Sequence, residues 1–414
     1  MTRIRRTALR VWPYAPALLV LISEWRLIWP VPALVDHFQF WSAGHAVATG
    51  QSPYDRATWE AAAAYGPVPG GIAVNTVIEN LRHTSFVWPY PPQSAFLFAP
   101  FGALPLEIGI PAMHAVVLVA AAASVTIAAR IVGLDGVRLA VGLLLAALSQ
   151  PFIVGVRAGH PIGIFVLALL ACFVGLRDRR LPLLIGGVII LSTKPQLGIA
   201  LGVFALGVLI SRRDWGAIGA IVATLVTVTF AANLRSPFPL AQLLGTGGEW
   251  LSVDLSTAWG LSRDLGGGTE LSFLLIASAV ASVIVAVRIA SGGLRNSFLL
   301  GGLMALSLAV TPYAHDYDML LLLPAAFVVV ASSPRPRVWS VGIGLLLILA
   351  LPWLLFMWWP LLGQGARVYQ GGPLGALPLI TAWAMPVAAW ITARHATVTR
   401  PRVFVADGKD DVRT

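Results

Sequence analysis

RDRRLPLLIGGVIILSTKPQLGIALGVFALGVLISRRDW, residues 177–215, decides how the chain is laid out. Its apolar interior, 181–211, is too long for a single helix across hydrocarbon, which takes about 20 residues. Each flank is an arginine cluster, RDRR at 177–180 and RRDW at 212–215, and such turns stay in the cytoplasm. Both clusters keep to one side only if the chain goes out and comes back between them. The stretch therefore reads as a short helical hairpin with STKPQ, 192–196, at its bend.

Working outward, apolar runs near 13–35, 107–131, 138–157, 161–177, 215–234, 271–290, 297–313, 317–333, 338–359 and 375–394 each suit a spanning helix. With the hairpin counted as two, the expectation is an all-α polytopic membrane protein of about 12 transmembrane helices. The basic termini and the connections holding Arg130 and Arg138, Arg288 and Arg295, and Arg335 and Arg337 then share one side, so both termini are expected in the cytoplasm. The opposite side receives 36–106 as a long first external loop, the turn RAGHP at 157–161, 235–270, TPYAHDYD at 311–318, and 360–374. No fixed-period repeat or low-complexity linker divides the chain. Residues 1–394 read as one membrane domain and 395–414 as a polar cytoplasmic tail.

Composition points the same way. Of 414 residues, 57% are hydrophobic and 11% charged, and the mean hydropathy is +0.82, which excludes an ordinary soluble domain. The net charge of +10 comes from arginines set in short runs between apolar spans, a topology signal rather than a nucleic-acid surface. The single cysteine, Cys172, lies in an apolar span and can form no intramolecular disulfide. MTRIRR followed by apolar residues looks like the start of a signal peptide. The span runs on too long, contains Glu24 and Arg26 and lacks a small-residue cleavage site, so it reads as a retained anchor.

Chemistry-bearing residues gather on the side away from the arginine turns. Residues 37–49 contain no proline, end at Gly50 ahead of Pro53, and space Phe38, Trp41 and His45 as a helix would. A second helix is expected from about Arg56 to Tyr65, and both are expected to lie in the membrane interface. Asp36 stands where the first span ends and the first of these helices begins. Position alone makes it a helix cap, whose carboxylate accepts backbone N–H bonds. A carboxylate there is also placed to act as a general base on a hydroxyl substrate.

Three segments resemble a known family. Asp36, Phe40, Trp41, Ala43, Ala46, Gly50 and Tyr54 follow the pattern that opens the first external loop of glycosyltransferase family 87. VWPYPPQSAFLFAPFGALP, 87–105, looks like that family's Tyr-Pro-Pro segment, and GGVIILSTKPQLGIALGVFALG, 186–207, looks like its hairpin with a Lys-Pro pair. The segments also come in the family's order, and the resemblance extends loosely over most of the chain. It implies a GT-C-like fold and an inverting transferase that moves a sugar from a polyprenyl-phosphate donor to a glycan or glycolipid acceptor outside the bacterial cytoplasmic membrane. The family includes α-mannosyltransferases and an arabinofuranosyltransferase; mannose, the commoner association, is expected first and arabinofuranose second. For Asp36 the resemblance implies the base that deprotonates the acceptor hydroxyl.

Such a reaction gathers negative charge on a leaving phosphate and needs cations or donors beside it. Lys194, at the hairpin bend within apolar sequence, is one candidate; snorkelling to the interface is the alternative. Arg157 in RAGHP is a second. The family commonly has a Gly-Gln-x-Asn-like turn there, whereas this chain has Gly159-His160-Pro161-Ile162, without the amide, and His160 is a substrate-binding candidate. In TPYAHDYDML, His315 is a candidate for the phosphate and Asp316 and Asp318 for the substrate; the alternative is a helix-end cluster in which one acid caps the next span. Tyr54 and Tyr90 are further substrate-binding candidates, Tyr90 also shaping its turn with Pro89, Pro91 and Pro92. Trp88, Trp358 and Trp359 read as interface anchors, with stacking on a sugar ring the alternative for Trp88.

No zinc-ligand spacing is present, no cofactor is called for, and the spacing leaves a divalent cation open. Gly266–Gly268 is a loop element without the strand and Gly-Lys-Ser/Thr of a phosphate loop. The competing class is a lipid-linked-sugar flippase or secondary transporter, for which internal repeats and midplane charges are expected.

Overall fold

The computed structural model describes residues 12–28, 35–63, 88–240, 257–289, 297–311, 314–331, 376–385 and 387–388, which are helical and contain no strand. A 3₁₀ turn, Trp12–Tyr14, leads into α1 (Ala15–Ile28), followed by α2 (Val35–Ala48) and α3 (Arg56–Ala63). Then come α4 (Pro92–Gly102), α5 (Leu106–Ile131), α6 (Gly136–Ala147), α7 (Gln150–Ala158), α8 (Ile162–Asp178), α9 (Leu181–Leu191), α10 (Pro195–Ser211) and α11 (Trp215–Arg235). The rest are α12 (Ala258–Asp264), α13 (Thr269–Ile289), α14 (Ser297–Val310), a 3₁₀ helix at Asp316–Leu322, α15 (Leu323–Ala331) and α16 (Ala376–Met385).

Among the described residues, α5 and α11 are the two helices long and apolar enough to cross a membrane unaided. The run expected at 138–157 is broken instead: α6 and α7 meet at 52° and make a third span only if taken together. Pro151 explains the break, since proline donates no backbone bond and is tolerated in the first turn of α7, where none is needed. Of the other apolar runs, 271–290 appears as α13 and the rest as shorter helices, except 338–359, which lies with Trp358, Trp359 and the tail 395–414 outside the described residues. On α11, Val222, Val226, Phe230 and Leu234 form an exposed apolar stripe at a spacing of one helical turn. Such a face suits lipid and would be a liability in water.

The hairpin forms as read. Arg212 donates to the Leu176 carbonyl at 2.8 Å, so the two arginine clusters lie side by side at its open end. At the bend, the backbone N–H groups of Ser192, Thr193 and Lys194 bond to Val188, Ile190 and Leu191, which closes α9. Pro195 then opens α10, at the one helical turn where proline costs nothing.

Helix α2 forms where expected but is not an interfacial helix with one wet face. His37, Phe38, Phe40, Trp41, Ser42, Ala43, Ala46 and Val47 are all buried, and α4 and α5 pack against it. Small residues allow this. A Cβ on Gly44 would run into the Phe98 backbone, and one on Gly102 would run into the His45 backbone, so α2 and α4 touch main chain to main chain. Trp41 Nε1 donates to the Leu104 carbonyl at 3.3 Å and a His45 ring nitrogen to the Gly102 carbonyl at 2.8 Å, which tie the end of α4 to α2.

Candidate active site

Lys194 is fully buried at the hairpin bend, with Nζ donating to Asp318 Oδ1 at 2.8 Å and Oδ2 at 3.0 Å. Neither side chain reaches solvent, so the snorkelling alternative for Lys194 is overturned. Asp318 does two jobs. Oδ2 also accepts the His315 backbone N–H at 3.0 Å, the reach-back that an acid in the third helical position makes to a cap. The helix-end reading of this cluster and its ion-pair role are therefore the same feature. One carboxylate fixes the start of the 3₁₀ helix and neutralises the lysine.

His160 joins the pair from the RAGHP turn, with Nε2 3.4 Å from Lys194 Nζ. An ammonium can only donate, so Nε2 is the acceptor and the proton of the neutral ring sits on Nδ1. Burial and the neighbouring Lys194 ammonium hold His160 well below the usual histidine range, which agrees with a neutral ring. Its ring stacks on Tyr317 at 4.1 Å between centroids. His160 Nδ1 is buried and has no hydrogen-bond partner among the described residues, which leaves one donor within the cluster unused. His315, half-buried, lies with its ring 5.0 Å from Tyr317 and is pushed down to about 4, chiefly by burial.

Helix α2 reaches this cluster from the other side. Phe40 lies 5.8 Å from the His160 ring, and Asp36, one turn earlier, shares its helix face. Asp36 is the second residue of α2 and half-buried, so it sits inside the first turn rather than in the cap position ahead of it. The helix dipole still favours its charge there. Its neighbour His37 bonds to His114 of α5, ring nitrogen to ring nitrogen at 2.9 Å. Gly159, with φ of 77°, lies flat against the His37 ring, and a Cβ there would strike it. The turn before His160 thus needs glycine twice, for its left-handed backbone and for its contact with α2.

Above the cluster, Phe40 packs on Trp88, Tyr90 and Phe98 at 5.5, 5.6 and 4.5 Å. Tyr54 donates its hydroxyl to the Tyr90 carbonyl at 2.8 Å, joining two predicted substrate residues that are far apart in the chain. Burial raises the Tyr54 hydroxyl further above its usual range, so it remains a donor. Trp88 is buried in this aromatic wall, which overturns its reading as an interface anchor. Gln93 Nε2 donates to the Ser192 carbonyl at 2.8 Å and docks the start of α4 on the hairpin bend.

Sequence residues from 36 to 318 are thereby brought together: Lys194, His160, Asp318 and His315 around one ion pair, with Asp36, Tyr54 and Tyr90 on segments that pack against it. Arg157 is not among them; its side chain is exposed at the end of α7. Asp316 lies in the 3₁₀ helix, but its side chain is outside the described residues. Glu24 and Arg26 lie in α1 with side chains likewise outside them. Among the described residues no three His, Cys, Asp or Glu side chains gather as a metal site. His37, His114 and Gln93 were missed by sequence reasoning. His114 had a signal, being a polar ring inside an otherwise apolar span.

Comparison with curated proteins and with solved structures returned no match. The family model of glycosyltransferase family 87 matches residues 88–312, more than half of the chain, and takes in the Tyr-Pro-Pro segment, the RAGHP turn and the hairpin bend. The chain belongs to glycosyltransferase family 87 and is a membrane glycosyltransferase.

Proposed function

We propose that the protein transfers a sugar, mannose ahead of arabinofuranose, from a polyprenyl-phosphate donor to a glycan or glycolipid acceptor on the outer side of the cytoplasmic membrane. The observation that carries this reading is the packing of α2, with Asp36 on the face of Phe40, against the His160–Lys194–Asp318 cluster of a family 87 chain. Asp36 takes the proton from the acceptor hydroxyl as its oxygen attacks the anomeric carbon. The bond from that carbon to the phosphate oxygen breaks, and polyprenyl phosphate leaves with the electron pair. One displacement inverts the anomeric centre. A β-linked donor should therefore give an α-linked product, read by digestion with an anomer-specific glycosidase; a β-linked product contradicts a single displacement.

Around this step His160 offers its Nδ1–H to a substrate oxygen, and Tyr54, Tyr90, Asp316 and Asp318 border the sugar. Lys194 acts on the phosphate at most jointly with Asp318, since the carboxylate already neutralises its ammonium. His315 and Arg157, both less buried than the ion pair, are the further candidates for the donor phosphate. The reading requires the bend and the RAGHP turn to face outward and both termini to face the cytoplasm. Cysteines introduced at Ser252 and Gln364 should be labelled by an impermeant thiol reagent added outside, and one at Ser333 should not. Native Cys172 is buried and gives little background. Labelling in the opposite sense overturns the assignment of the site to the outer face.

A further inference from the structure

Three parts of the molecule meet at the ring of His37. It belongs to the first turn of α2, its Nε2 lies 2.9 Å from Nδ1 of His114 on α5, and Gly159 of the RAGHP turn packs against its face. Both imidazoles are fully buried. His37 and Gly159 are the immediate chain neighbours of Asp36 and His160. The contact between residues 37 and 159 therefore governs how Asp36 stands relative to the ion-pair cluster. The RAGHP turn is held from its other end by the same helix. A Cβ on Gly163, at the start of α8, would run into the Ala121 backbone, and Ala121 follows His114 by seven residues, on the same face of α5.

The first turn of a helix is the part its own hydrogen bonds hold least, because its first four N–H groups have no partner within the helix. Trp41 and His45 tie the later turns of α2 to the end of α4. At the first turn the tie is His37. Burial and the His114 ring hold His37 down at about 3, so the ring is neutral and the bond runs from the N–H of one imidazole to the bare nitrogen of the other. His37 Nδ1 is buried with no hydrogen-bond partner among the described residues, a cost that an apolar side chain filling the same space would avoid. What the imidazole adds is direction. A hydrogen bond fixes the rotation of α2 about its axis, whereas apolar packing tolerates some turning. Successive residues on a helix point about 100° apart, so fixing His37 also fixes where Asp36 points.

We infer that the His37–His114 pair is a positioning device for the reaction, holding the Asp36 carboxylate in register with the His160–Lys194–Asp318 cluster while touching no substrate itself. The inference rests on the reading of Asp36 as base. It gives a role to two buried histidines that no motif had marked.

The test measures thermal midpoint and the kinetics of transfer from decaprenyl-phosphate mannose or arabinofuranose, with the full chain in nanodiscs and His37→Leu made in both the wild type and Asp36→Asn. In the wild type, His37→Leu should lower kcat by about tenfold or more, within the roughly 10²-fold that a displacement of about 1 Å can cost, and leave the donor KM nearly unchanged. In Asp36→Asn it should cost little further, because the group it aims is already gone. His37→Gln, whose amide nitrogen reaches the place of Nε2, should recover most of the loss. Wild-type transfer by His37→Leu, or an equal loss in the two backgrounds, overturns the inference and leaves Asp36 as base. Should His37→Leu fail to fold, His114→Leu asks the same question from α5. If neither folds, the pair supports the fold rather than the base, and the inference falls. Full transfer by Asp36→Asn, or none from either donor by the wild type, removes the reading on which it rests.

Discussion

Asp36→Asn should lower sugar transfer by about 10²-fold or more while leaving the protein folded, the usual scale for removing a general base. The substitution keeps the size and hydrogen-bonding shape of the side chain and removes its ability to take a proton. Asp36 sits in the first turn of α2, where the positive end of the helix favours its charge. Asp36→Asn gives up that charge, about 0.3–1 kcal/mol, and keeps the hydrogen-bonding shape, so its thermal midpoint in detergent should move little. A large loss of transfer with a small loss of stability separates catalysis from helix support. An Asp36→Asn protein with normal transfer would falsify the role of Asp36 as base.

Lys194→Met should have the opposite character. It strands the Asp318 carboxylate in a site with no solvent access, and breaking one side of a buried ion pair costs about 3–5 kcal/mol. The start of the 3₁₀ helix at Asp316 should loosen too, because the same carboxylate anchors the His315 N–H. The prediction is a markedly lower thermal midpoint for Lys194→Met and for Asp318→Asn. The double variant Lys194→Met/Asp318→Leu should recover much of the loss, since replacing both members of a buried pair by apolar groups is often neutral. A Lys194→Met protein as stable as wild type would show that the pair does not hold the bend to the 3₁₀ helix. Its loss of transfer is then read through stability, and only binding measurements bear on phosphate recognition.

The hairpin was legible because its evidence is local: two arginine clusters around one overlong apolar run allow few topologies, and Arg212 against Leu176 brings those clusters together. The extent of α2 was legible for the same reason, from the absence of proline over 37–49 and from Gly50 and Pro53 beyond its end. Its burial was not. Phe38, Trp41 and His45 looked like one face of an interfacial helix, and what covers the other face is Gly102 of α4 against Gly44, a backbone contact that leaves no periodic trace. Pro151 was visible, but apolar content on both sides of it suggested one span and concealed a 52° break.

The candidate site divides along the same line. Asp36, Lys194, His160 and Asp318 could each be picked out as polar residues at the ends of apolar runs. That Lys194 pairs with Asp318, far away in the chain, could not be read from one sequence, because no periodicity links the bend to the TPYAHDYD segment. The pairing changes the chemistry assigned to Lys194, from a free cation awaiting phosphate to half of a neutral buried unit.

The central claim is that this chain moves a sugar from a lipid phosphate with Asp36 as base. Its most direct test is label transfer by purified wild-type and Asp36→Asn protein, in the same lipid, from a panel of polyprenyl-phosphate sugars and nucleotide sugars. The account predicts transfer by the wild type from a polyprenyl-phosphate sugar, with mannose first, none from nucleotide sugars, and a loss of about 10²-fold or more in Asp36→Asn. Transfer from a nucleotide sugar, or equal rates for the two proteins, would contradict it.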